Sequence, residues 1–199
     1  MMRLQNQAGV IVKRTTVLVV AAILLVLSGC SRSNHQAVTN LAPLLVPAPP
    51  NANATGHHPR DISLAEAAKL WAPGDSGAEK TLRDLGYQEG ATEQWIESDD
   101  TLVSVLALQF DNVTTPIGAC VSFDGYRRRN PVFTAGADIP GTSHGRVYLR
   151  AVVDDRQRWI SDAVFAKGKA VVYLSLGGPV WFGTERLVQL AQAQYDRLP

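Results

Sequence analysis

An uninterrupted run of eleven apolar residues, Val17–Leu27, decides how much of this chain is available to form a folded domain. A helix rises ~1.5 Å per residue, so the run spans roughly 16 Å, about half of the ~30 Å hydrocarbon core of a bilayer. A stable transmembrane helix is therefore disfavoured. Arg3, Lys13 and Arg14 precede the run, and no acidic residue occurs before Asp61. A basic head before a short apolar run is typical of a secretory signal peptide.

A cysteine lies three residues after the end of the apolar run. The sequence Leu27-Ser28-Gly29-Cys30 resembles a bacterial lipobox. The resemblance implies that a diacylglyceryl group is attached to Cys30 through a thioether and that the chain is cleaved between Gly29 and Cys30. Two acyl chains bind a bilayer stably, whereas one binds only marginally. We therefore expect a signal peptide at residues 1–29 and a lipid anchor on the extracytoplasmic face of the cell membrane. The alternative is an ordinary signal peptide, or an uncleaved anchor, in which Cys30 has no role.

Residues 30–60 are predicted to form the lipidated cysteine and a disordered tether. The segment 31–60 holds five of the 11 prolines of the chain and no carboxylate. A segment of this composition buries too little apolar surface to offset the entropy cost of ordering it. The adjacent pair His57-His58 lies in this segment without a preformed cage, so it does not predict a metal site.

The charge and the cysteine count exclude several classes of function. Cleavage after residue 29 would leave 16 basic and 18 acidic residues, a formal net charge near −2. A chain with this balance has no broad electrostatic basis for binding nucleic acid. Cys30 and Cys120 are the only cysteines, which excludes a disulfide framework and a thiolate zinc site. We expect Cys120 to be a small buried apolar side chain.

Residues 61–199 are predicted to form a single globular α+β domain. Ser63-x-x-Glu66 is a capping box that begins a first helix, which Pro73-Gly74 ends. A second helix is expected over 76–85, and a last helix is expected after Thr184 as its N-cap. Strands are expected at 92–98, 102–110, 146–153, 159–166 and 169–176.

The segment Thr115–Arg127 is open to two interpretations. Thr115 as N-cap with Pro116 at the first helical position is typical of a helix start, whereas the alternation of Ala119, Val121 and Phe123 also fits a strand. We adopt the helix. The resulting order of elements predicts an antiparallel sheet of about five strands packed with helices, an α+β sandwich.

Two stretches carry a resemblance to known sequences. "VFAKGKAVVYLSLGG" and "LVQLAQAQYDRLP", together with the lipobox and the proline-rich spacer, resemble a group of uncharacterised actinobacterial lipoproteins. The similarity covers mainly Trp159–Pro199, with a vaguer match over 86–123. The element order is also similar to that of the PsbP/Mog1-like lipoproteins of mycobacteria, an analogy of architecture that carries no function. Neither resemblance supplies catalytic residues.

Two motifs match a catalytic or nucleotide-binding pattern only in part. The segment Gly141–Gly145 fits G-x-S-x-G with Ser143 as nucleophile, but no histidine follows His144 and the preceding residues are poor strand formers. The segment Gly178–Thr184 has the glycine spacing of a P-loop without its lysine. A polar turn and a strand-to-helix loop are the preferred interpretations.

Three charged clusters are also more simply explained by solvent exposure. Asp99-Asp100 and Asp154-Asp155 lie in predicted turns and lack the dense ligand spacing of a calcium loop. Arg127-Arg128-Arg129 suits the carboxyl end of a helix, and contact with anionic lipid or a wall polymer is the alternative.

The sequence thus predicts no catalytic residue, no cofactor and no metal. Anchor, spacer and compact domain favour a non-catalytic module of the cell envelope that binds a partner protein, an envelope polymer or a small ligand. One alternative is an envelope hydrolase whose site lies near Ser143, His144 and an aspartate close to them in space. The other is an interaction subunit of a larger membrane assembly.

Overall fold

A computed structural model of the chain describes residues 40–54, 58–129, 133–142, 144–150, 159–179 and 183–199. Residues 1–29 and the lipobox with Cys30 lie outside the described residues, and so do His57, Ser143 and Asp154-Asp155. Within the described ranges, no helix combines the length and the apolar character that crossing a membrane requires.

Eight strands form one sheet in which every described pairing is antiparallel. They are β1 (Asn53–Ala54), β2 (Arg60–Ile62), β3 (Tyr87–Ile96), β4 (Leu102–Phe110), β5 (Phe133–Asp138), β6 (Arg146–Arg150), β7 (Trp159–Lys167) and β8 (Ala170–Gly178). The strand order is β1-β3-β4-β8-β7-β6-β5, and β2 also pairs with β3. The sheet is therefore built around β4 and β8, which are apolar along most of their length because both of their faces are covered.

The helices are α1 (Leu64–Trp71), α2 (Ala78–Asp84), α3 (Thr114–Arg129) and α4 (Glu185–Arg197). The Ser63 hydroxyl accepts a hydrogen bond from the Glu66 N–H at 3.3 Å, as the capping box predicts. Gly86 ends the α2 region with φ of +82°, a conformation that glycine adopts without a steric penalty.

Two apolar clusters cover the two faces of the sheet. On one face α1, α2 and α3 pack through Leu82, Cys120 and their neighbours against Leu108 of β4. On the other face α4 packs through Leu187 and Ala191 against the opposite side of the strands. The architecture is a sandwich of helices around one antiparallel sheet, which confirms the predicted α+β class.

All five expected strands are present, although 151–153 lie outside the described residues. β3 begins five residues before its predicted start at 92, and the other described bounds agree within two residues. The sheet has three further strands, β1, β2 and β5, which are short or poor in apolar residues. The uncertain segment Thr115–Arg127 is helical, and it belongs to α3.

Two predicted helix caps are wrong in detail. The Asn112 carboxamide, and not Thr115, caps α3: Asn112 Oδ1 accepts from the N–H groups of Thr114 and Thr115 at 2.9 and 2.8 Å. Thr184 has helical dihedral angles and makes no capping hydrogen bond with its side chain. In both places the neighbouring backbone, and not the residue type alone, decides which side chain reaches the free N–H groups.

The expectation that the whole of residues 31–60 is disordered is wrong for its described part. Residues 40–48, here called the strap, include a 3-10 turn at Ala42–Leu44 and lie on the α4 side of the sheet. Leu41 and Leu45 are each only 1% exposed. These two leucines bury apolar surface in a segment whose proline-rich composition indicates disorder. β1 and β2 belong to the same segment, and they add residues 53–54 and 60–62 to the edge of the sheet.

Candidate functional site

A row of four polar side chains crosses the α1–α3 face of the sheet. Gln94 of β3 is the register partner of Ser104 of β4, Ser104 is the partner of Ser175 of β8, and Ser175 is the partner of Asp162 of β7. Each of the four residues is partly exposed. Adjacent strands lie about 4.8 Å apart, so the row extends over roughly 14 Å. We call these four residues the polar row.

The polar row forms one end of an open groove, here called the sheet groove. The wall beside the row is the carboxyl end of α1, with Leu70, Trp71 and Pro73, and the floor continues through Leu106 and Tyr173. This part of the groove has a volume of about 300 Å³. Ligand pockets in proteins have volumes of about 300 to 1,000 Å³, so the space suits a small molecule.

The other end of the sheet groove is apolar and lies between α1 and α3. It is lined by Trp71, Ala72, Leu85, Thr115, Gly118, Ala119, Ser122, Phe123 and Tyr173, and its volume is about 670 Å³. Three aromatic residues, Trp71, Phe123 and Tyr173, line both ends, so the two depressions adjoin each other. The groove therefore has a hydrogen-bonding end next to an apolar end.

The aromatic rings between the two ends are held in place by one another. Trp71 Nε1 donates a hydrogen bond to the Tyr173 hydroxyl at 3.1 Å. The rings of Phe123 and Tyr173 meet edge to face with their centroids 5.7 Å apart. Burial raises the pKa of Tyr173, so its hydroxyl stays protonated and can donate while it accepts from Trp71.

A glycine on α3 opens the apolar end. Gly118 lines the groove, and a Cβ atom built at this position would meet no heavy atom within 4 Å. Glycine in a helix interior costs about 1 kcal/mol relative to alanine. A side chain at position 118 would thus be expected to favour the helix and to project into empty space in the groove.

A second depression, of about 240 Å³, lies at the end of α3 and contains the predicted residue His144. The Asp124 carboxylate in it accepts from the Tyr148 hydroxyl at 2.5 Å and pairs with Arg128 at 2.7 Å. Burial acts to raise the pKa of Asp124, but the hydrogen bonds from Tyr148 and Arg128 prevail and lower it. Arg146 also bridges Asp124 and Asp138. These four charged groups neutralise one another.

The structure places the other sequence-predicted residues as follows. His144 is exposed in the second depression, and Ser143 lies outside the described residues, so their pairing stays a hypothesis. Asp99 lies in a turn, where its carboxylate accepts from the Thr101 N–H and from Arg186. Cys120 is 1% exposed, and burial raises the pKa of its thiol to about 12, so the prediction of a buried apolar-like cysteine is confirmed.

No metal centre is evident in the described part of the chain, where no three His, Cys, Asp or Glu side chains are close enough to share an ion. The sequence did not reveal the polar row, because Gln94, Ser104, Asp162 and Ser175 look like the solvent-facing positions of four unrelated strands. A signal was nevertheless present. The segments 102–110 and 170–178 are apolar along most of their length, and polar residues inside such strands are unusual.

Comparisons with known proteins extend the description of the fold. No family model matches the sequence, and no curated protein matches it. The extracellular domain of PknH from Mycobacterium tuberculosis is similar in structure, with a TM-score of 0.50, 14% identity, and coverage of 82% of this chain and 97% of that chain. An uncharacterised protein of Mycobacterium smegmatis, the Rv0999 ortholog, has a TM-score of 0.44, 13% identity, and coverage of 75% and 90%.

Both of these structures are mycobacterial proteins. At 14% identity, the likeness to the PknH domain is a likeness of fold, namely the mixed α+β arrangement described above.

Proposed function

We propose that this chain is a lipid-anchored, extracytoplasmic binding module that holds a small ligand in the sheet groove without converting it. The sheet groove is the observation that carries the proposal. Central strands that are buried on both faces normally carry apolar side chains. A row of amides, hydroxyls and a carboxylate across such strands suits a ligand that brings hydrogen-bonding groups of its own.

Two further observations support the location. The lipobox-like sequence at Leu27–Cys30 follows a basic head and a short apolar run. The fold is similar to that of a domain described as extracellular, the PknH domain. If Cys30 carries the lipid, ten residues join it to Asn40, the first described residue, and they span at most about 35 Å. The domain would then stay close to the bilayer.

Binding without conversion is tested on the whole mature chain, residues 30–199, with Cys30→Ser to remove the lipid. The protein is incubated with an envelope extract, purified again and examined by native mass spectrometry. We expect a retained small molecule that is released chemically unchanged on denaturation. Gly118→Leu should abolish the retention, since the new side chain fills the apolar end of the groove.

Gly125→Leu is the matched control, because it makes the same change on the same helix outside the residues that line the groove. It should retain the ligand as the parent chain does. The proposal fails if nothing is retained, if Gly118→Leu retains as much as Gly125→Leu, or if the retained molecule is consumed over time.

A further inference from the structure

We infer that the ligand of the sheet groove is an uncharged amphiphile, with a hydroxyl-rich head group on the polar row and an apolar chain or ring between α1 and α3. This inference rests on the proposed function and assigns the chemical class of the ligand. It follows from three properties of the groove: the spacing of its polar groups, the absence of cationic side chains from its described lining, and its apolar end.

The polar row matches a head group with several hydroxyls. Its four side chains are separated by one strand spacing each, about 4.8 Å, and an amide, two hydroxyls and a carboxylate can both donate and accept. Gln94 Nε2 donates to Ser104 Oγ at 3.2 Å, so the Ser104 proton is directed to another acceptor. Within the described part of the chain the Ser175 hydroxyl has no hydrogen-bond partner. A ligand hydroxyl that accepts from one serine and donates to the next would satisfy both.

The lining of the groove argues against an anionic head group. None of the described residues that line either end is a lysine, an arginine or a histidine. An anion placed on the polar row would lose water without gaining a counter-charge from these described residues, and burial of an unpaired charge is costly. Hydroxyl groups lose less hydration free energy than an anion when they leave water, and they form new hydrogen bonds with the polar row. The Asp162 carboxylate already interacts with another group of the protein, so the polar row does not require a cationic ligand, and an uncharged head group is favoured.

The apolar end of the groove favours an apolar chain or ring as the second half of the ligand. Ala72, Leu85 and Ala119 line it together with the three aromatic rings. Each buried CH₂ group contributes about 0.8 kcal/mol, so an apolar chain adds affinity in this space. The indole of Trp71 lies where the two ends meet and is fixed by Tyr173. It should change its fluorescence when either half of a ligand binds.

The test compares four probes on the mature Cys30→Ser chain below their micelle concentrations: octyl glucoside, octyl sulfate, octyltrimethylammonium and glucose. Calorimetry gives the dissociation constants, and tryptophan fluorescence of the parent and Trp71→Phe assigns the site. We expect octyl glucoside to bind at least about tenfold more tightly than either charged probe, a difference of about 1.4 kcal/mol. Glucose, which lacks the chain, should bind at least about a hundredfold more weakly.

Two variants separate the halves of the groove. Ser104→Ala with Ser175→Ala should weaken octyl glucoside by about fivefold to 150-fold, the loss of two ordinary hydrogen bonds, and should leave octyl sulfate unchanged. Gly118→Leu should weaken every octyl probe, and Gly125→Leu should weaken none. Circular dichroism and the thermal midpoint of each variant show whether it is folded.

The possible results distinguish this inference from the proposed function. Equal affinity for octyl glucoside and either charged probe, or an unchanged affinity in the double serine variant, overturns the ligand class. If Gly118→Leu loses a retained envelope molecule that octyl glucoside does not displace, the binding function stands and the class is wrong. If Gly118→Leu alters neither envelope retention nor probe binding, both are wrong.

Discussion

Gln194 and Val46 are joined across 148 residues of sequence by a hydrogen bond of 2.8 Å from the Val46 N–H to Gln194 Oε1. The other end of the same carboxamide, Nε2, donates to the Leu44 carbonyl at 3.0 Å. Gln194 is completely buried. One side chain of α4 thus satisfies a donor and an acceptor of the strap, whose backbone has no strand partner there. The strap is therefore fixed to α4 by side-chain hydrogen bonds.

The first prediction concerns this carboxamide. Gln194→Ala should lower the free energy of unfolding by about 2–4 kcal/mol, because two hydrogen bonds are lost and the Val46 N–H is left without a partner. The Leu44 carbonyl keeps the hydrogen bond that Arg197 Nε donates to it at 3.2 Å. Urea unfolding of the mature Cys30→Ser chain measures the change. Gln189→Ala, on the exposed side of the same helix, should change it by less than about 0.5 kcal/mol. Equal stabilities of the two variants would show that the strap is dispensable.

The second prediction concerns the apolar anchor of the strap. Leu45 is 1% exposed, whereas Val113 is 52% exposed. Leu45→Ala should lower the free energy of unfolding by about 2–5 kcal/mol, as truncation of a core leucine does. Val113→Ala serves as the control and should stay within about 0.5 kcal/mol of the parent. If residues 40–48 were a solvated tether, Leu45→Ala would be as neutral as Val113→Ala.

The strap shows why part of the fold could not be predicted from the sequence. The helices and the long strands follow from capping residues, glycine stops and apolar periodicity, which are local patterns. The groups that hold the strap are not local. Leu41 N–H donates to Glu89 and Ala48 N–H donates to Glu93, 48 and 45 residues away, and Gln194 is more distant still. Composition alone therefore indicated disorder.

The candidate site was hidden for a related reason. Gln94 and Ser104 belong to one hairpin, but Asp162 and Ser175 belong to another, and only the β4–β8 pairing brings the two hairpins together. Register across non-adjacent segments is a tertiary property, which periodicity within each strand does not specify. The sequence motifs that drew attention, such as the one around His144, lie at a different place on the molecule.

The third prediction is a pH dependence from a buried carboxyl group. Glu93 is 2% exposed and its Oε1 accepts from the Ala48 N–H at 2.9 Å. Burial raises the pKa of Glu93, although the Ala48 hydrogen bond and the charges of His58 and Arg197 act to lower it. A carboxyl group with a raised pKa stabilises the fold fully below its unfolded pKa of about 4.3. That contribution is lost as the pH rises through the folded pKa.

Glu93→Gln should therefore raise the thermal midpoint at pH 7, because the amide keeps an oxygen for the Ala48 N–H and carries no charge into the core. The difference in thermal midpoint between the variant and the parent chain should vanish near pH 3, where Glu93 itself is protonated. Thermal unfolding at both pH values measures this, with the exposed Glu185→Gln as a control that changes little. A variant that is less stable than the parent at pH 7 would contradict the sign of the effect.

The fourth prediction tests the lipid anchor by comparing substitutions of the two cysteines of the chain. When the full chain is made with its leader in a bacterium that processes lipoproteins, the protein should partition into the detergent phase of a Triton X-114 separation. Cys30→Ala should move it into the aqueous phase, because the acyl chains that supply the membrane affinity are then absent. Cys120→Ala should leave the partition unchanged, since that thiol is buried in the domain. A Cys30→Ala chain that still enters the detergent phase would mean that the apolar run Val17–Leu27, and not a lipid, holds the protein at the membrane.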